Sequence, residues 1–141
     1  MDHIDDLDAP DDVMATIEWL IGEGFEISRL LTRDQPNGNK LLRLQRGDEH
    51  VHIVRDRGPW ELGFRGPDWV AGLHTFHEAA TGVVFDQPPE APMPRQLPSD
   101  DLLWAEAVPA VFAWRAATPD WRTRLEEAIE AGRERIRRRF G

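Results

Sequence analysis

Five histidines and no cysteine set the limits of any metal chemistry in this chain. His50 and His52 alternate with Val51 and Ile53, so on a strand the two imidazoles share one face. His74 and His77 stand one helical turn apart, with Glu78 beside the second. Two strand imidazoles and a helical pair form a donor set that zinc accepts. The same spacing serves surface or partner-facing histidines equally well. If Val51 and Ile53 face the core, His50 and His52 point away from any helix packed there. The metal candidates are therefore His50, His52, His74 and His77, and no cofactor is expected.

Carboxylates come next. Asp34, Asp48, Glu49, Asp56 and Glu61 fall at or beside the turns of a strand-rich stretch. Paired carboxylates do acid–base work only when a cleft holds them together with displaced pKa values. At turns, Asp is explained by turn chemistry alone. Ser28 and Ser99 are the only serines, and no nucleophile elbow, metalloprotease helix or phosphate-cradling glycine loop occurs. No catalytic residue is assigned, and the chain is read as non-enzymatic.

The formal net charge of −9 argues against a general nucleic-acid binder, which needs clustered cations. Residues 121–141 nevertheless carry +3, against −12 for the remainder. That Arg-rich end has two readings, a nucleic-acid contact or Arg side chains complementing a helix C-terminus. The N-terminus is acidic and has no apolar core like that of a signal peptide. No apolar run approaches the roughly 20 residues of a membrane helix. A cytoplasmic protein without membrane contact is the expectation.

The elements that must position these groups follow from periodicity. Val13, Ile17, Leu20 and Ile21 predict a helix over 10–22, opened by Pro10 and stopped by Gly22 and Gly24. Alternation predicts strands at about 25–32, 40–46, 49–55 and 60–65, with Asn37-Gly38 and Gly47-Asp48 as turns. Trp60, Leu62 and Phe64 then share a face, which makes Trp60 a core anchor worth about 3–5 kcal/mol on truncation. Asp68 reads as the N-cap of a second helix, and Val83-Val84-Phe85 as a further short strand or a packed segment. Residues 86–98 hold five prolines and read as an extended connection. Ser99 caps a third helix that Pro109 must kink or split, and a last helix spans about 119–138. The fold class is α+β. One domain over 1–141 is expected: an N-terminal helix, a four-stranded antiparallel meander, then three to four helices packed on one face of the sheet. Residues 1–8 are expected to be a flexible lead.

Val51, Val54, Arg55, Asp56, Arg57, Gly58, Trp60 and Trp69 form a pattern of their own. The segment Val51 to Leu62 resembles a strand–turn–strand of small actinobacterial proteins, some of which look like immunity proteins of polymorphic toxin systems. The resemblance covers about a fifth of the chain and implies a small, acidic, non-enzymatic α+β inhibitor. Its expected partner is a protein, such as a basic toxin domain, met through Asp34, Asp48, Glu49, Asp56 and Glu61. An acidic inhibitor would approach such a partner by electrostatic steering.

Overall fold

The computed structural model describes residues 4–32, 39–55, 59–83 and 102–140. It groups into two compact units, Met1–Leu73 and His74–Gly141.

The first unit begins with a short 3-10 turn, Ile4–Leu7, inside the segment expected to be a flexible lead. Leu7 is fully buried, and its carbonyl accepts a 2.7 Å hydrogen bond from Lys40 Nζ. Lys40 itself is buried, so the lysine and the turn fix each other. Helix α1 (Asp11–Gly22) follows, with Asp11 and Asp12 at the positive end of its dipole. Val13, Ile17 and Leu20 are its buried stripe.

Five strands follow in sequence order: β1 (Glu26–Leu31), β2 (Lys40–Arg46), β3 (Glu49–Arg55), β4 (Trp60–Arg65) and β5 (Val70–Gly72). Every neighbouring pair is antiparallel. The expected bounds of β2, β3 and β4 hold to the residue. Gly47 takes a φ of +60° between β2 and β3, the left-handed conformation that a two-residue hairpin turn demands. That turn sets the register Arg46↔Glu49, and hence Leu44↔Val51 and Leu42↔Ile53. These four apolar residues are fully buried, as is Phe64 on β4.

Three expectations change. The meander has five strands, because Gly66 N–H donates to Trp69 O at 2.9 Å and folds the chain back as a hairpin. Asp68 therefore lies in a turn, and the next helix starts at Leu73. Only glycine fits at position 66, where a Cβ would stand 1.9 Å from the Trp69 indole nitrogen. Second, β1 does not alternate strictly, because a bulge falls between Ile27 and Arg29. Third, Trp60 is only half-buried, and it pairs with Arg55 at the end of its strand, while Leu62 and Phe64 on the same face are buried.

The second unit takes in nearly all of α2 (Leu73–Thr81), with α3 (Trp104–Ala117) and α4 (Trp121–Phe140). Gly82, at φ +79°, ends α2 and donates to Glu78 O. Of the kink or split expected at Pro109, the split does not occur: helix α3 is one element with Pro109 inside it. Phe76 is fully buried, edge-on to Trp114 at 6.1 Å and stacked on Trp121 at 5.9 Å. Leu125 and Ala128 of α4 are buried, but Ile136 of the expected stripe is exposed. No helix among the described residues is long and apolar enough to cross a membrane.

Candidate functional site

The two faces of the sheet differ. One carries Leu42, Leu44, Val51, Ile53, Leu62 and Phe64, all buried. On the other, no described residue is fully buried, and the side chains with chemistry on them gather there.

The register sorts this second face into rows. Arg29, Arg43 and His52 lie directly opposite one another across β1, β2 and β3. The row continues over β4 and β5 as Gly63 and Gly72. A Cβ at Gly72 would meet nothing within 4 Å, and one at Gly63 only a carbonyl at 3.8 Å, so the row ends in a strip of bare, open backbone. The next row holds Glu26, Gln45, His50, Arg65 and Val70. On the other side stand Leu31, Leu41, Val54 and Glu61. Among the described residues the face thus joins three guanidinium groups, two imidazoles and an apolar row, with carboxylates only at Glu26 and Glu61.

Arg29 reaches this face because of the bulge. Ile27 pairs with Leu44 and Arg29 with Arg43, leaving Ser28 as the extra residue. Ser28 Oγ donates to Arg43 O at 3.2 Å and ties the bulge down. Were Ser28 paired with Arg43 in an unbulged strand, Arg29 would oppose Leu42, on the buried side.

Like charges directly opposite on a sheet repel. Here Arg29 faces Arg43, and His52 stands beside Arg43, His50 and Arg65. Partial burial lowers the His52 pKa below 6.5, and the charges of Arg43, His50 and Arg65 lower it further. The two imidazole centroids are 6.2 Å apart. Among the described residues, none of Arg29, Arg43 and Arg65 forms an ion pair. Arg43 Nε and His50 Nδ1 are buried atoms with no hydrogen-bond partner.

The expected sites are arranged differently. Asp34 and Asp56 lie outside the described residues, as do Asn37-Gly38, Ser99 and the 86–98 connection. Asp48 is exposed in the β2–β3 turn and Glu49 is half-buried beside it. Glu61 is exposed at the other end of the strands, about 17 Å away on the β3 rise. These acidic residues do not form one patch. Among the metal candidates, His50 and His52 are neighbours on the sheet, while His74 and His77 lie on α2 in the second unit. His77 also has a lowered pKa, from burial and then from His74. No group of three or more metal-binding side chains occurs among the described residues.

Sequence reasoning missed Arg29, Arg43 and Arg65. Two of them were within reach: the two-residue Gly47-Asp48 turn sets Arg43 opposite His52, and the β3–β4 register sets Arg65 opposite His50. No family model, no curated protein and no solved structure matches the chain.

Proposed function

We propose that the chain is a non-enzymatic protein-binding module, an immunity-type inhibitor that neutralises a partner toxin by covering its active surface. The observation that carries this reading is the second sheet face. Arginines without ion-pair partners among the described residues stand there beside an apolar row, displayed on strands of a packed sheet. A rigid, mixed polar and apolar surface suits recognition, because little ordering is lost on binding. The acidic residues Asp48, Glu49 and Glu61 sit at the two ends of this sheet, where they would meet basic parts of a partner at the rim.

Affinity capture from the native host, followed by co-expression of the captured protein with this chain, tests the reading. A stoichiometric partner that is toxic alone and harmless in the complex supports it. Recovery of no partner, or of one whose toxicity persists in the complex, overturns it.

A further inference from the structure

We propose that the second sheet face is a docking site for an acidic protein segment, whose carboxylates settle on Arg29, Arg43, His50, His52 and Arg65 and whose apolar side chains settle on Leu31, Leu41 and Val54. This deepens the reading of the chain as a binding module and rests on it for the claim that the natural occupant is a protein.

Charge complementarity identifies the occupant. Three guanidinium groups without ion pairs among the described residues gather on one face of a chain whose net charge is −9. Their mutual repulsion is a standing cost that an anion removes. Arg43 and His50 each hold a buried nitrogen without a hydrogen-bond partner. Guanidinium and carboxylate match as two-pronged donor and acceptor. The local field governs at contact, because the chain's distant negative charges are screened beyond about 8–10 Å.

Two features favour protein over nucleic acid. The only rings on the described part of this face are the imidazoles of His50 and His52, so it lacks the aromatic platforms on which bases stack. The row Leu31, Leu41, Val54 gives a phosphate backbone nothing to bind, but it suits the apolar side chains of a peptide. The bare strip at Gly63 and Gly72 leaves room for a main chain to lie close to the sheet.

The test uses the whole chain and a short synthetic peptide of alternating Glu and Leu. Its Lys-for-Glu counterpart and a thymidine oligonucleotide of equal charge serve as comparisons. Binding is followed by calorimetry and by chemical shifts of the two sheet imidazoles. The acidic peptide is expected to bind and to shift His50 and His52. Arg43→Gln is expected to weaken it by roughly tenfold or more, the size of one charge-assisted hydrogen bond. Gly72→Leu fills the bare strip without changing charge and is also expected to weaken it, with the melting temperature reporting that each variant folds. Failure of the acidic peptide to bind overturns the site. Equal binding of the oligonucleotide overturns the assignment to protein. Self-association that disappears in Arg43→Gln gives the face to a second copy of the chain instead. A toxin partner captured equally well by Arg43→Gln would leave the inhibitor reading standing and remove this site from it. Peptide binding with no captured partner would do the reverse.

Discussion

Two regions of this molecule are rich in arginine, and they use it in opposite ways. On α4 five arginines hold counter-ions. Arg122 reaches Glu126, Arg124 reaches Asp120, and Arg133 and Arg137 both reach Glu130, with Glu134 as a further partner of Arg137. Arg135 crosses to Glu78 on α2 with a 2.5 Å contact, partly buried. Glu130 is held below the usual carboxylate range, first by its hydrogen bond from Arg137. On the sheet, Arg29, Arg43 and Arg65 have no such partners among the described residues. A helix brings residues three and four apart together, so a local run of Glu and Arg neutralises itself. A sheet brings distant residues together by register, and this register sets Arg against Arg and His. Most of the cations that stand close together in sequence are therefore paired.

The comparison has graded consequences for stability. The largest loss is expected on the buried face of the same strands. Phe64→Ala should cost about 3–5 kcal/mol in denaturant unfolding. A loss under 1 kcal/mol would mean that the two faces are not divided as described. Trp60→Ala should cost clearly less than Phe64→Ala, since Trp60 is only half-buried. Next comes Lys40, a buried cation that does have a partner. Lys40→Ala removes its hydrogen bond to Leu7 O and should cost about 1.5–3 kcal/mol. Breaking the partly buried Glu78–Arg135 pair by Glu78→Gln should cost about 1–2 kcal/mol, between the surface and buried cases. The smallest effect has the opposite sign. Arg29→Thr removes a like charge facing Arg43 and should raise stability by about 0.2–1 kcal/mol. Destabilisation by Arg29→Thr would show that the sheet cations support the fold.

Much of the architecture was legible in the sequence, and for identifiable reasons. Strands β2 to β4 are bounded by turn residues and alternate cleanly, so their bounds and faces could be read directly. Helix α1 declared itself by its stripe and its glycine stop. Strand β5 did not, because three residues carry no period and Asp68 resembles a cap. The bulge at Ser28 was equally hidden, since one extra residue shows only when β1 is paired with β2. Leu7 and Lys40 meet across 33 positions, a contact that no local pattern announces. As for the candidate site, the period-two alternation of His50 and His52 marks the second sheet face, whereas the acidic turns and the Arg tail are visible as charge runs. Arg43 and Arg65 required the register and Arg29 required the bulge.

The central claim is that Arg29, Arg43 and Arg65 stand on one sheet face without an ion-pair partner among the described residues, and His52, directly opposite Arg43, reports on it. Its folded pKa lies below 6.5. The unfolded chain therefore takes up the proton first, and this group's contribution to stability is present above about pH 6.5 and lost as pH falls from there through the folded value. The decisive measurement is the pH titration of the His52 ring by NMR in the free protein. The account predicts a midpoint below 6.5 that moves upward in Arg43→Gln. A midpoint above 6.5, or one unmoved by Arg43→Gln, would show that the Arg43 charge does not act on His52 and contradict the reading of this face as a cationic surface.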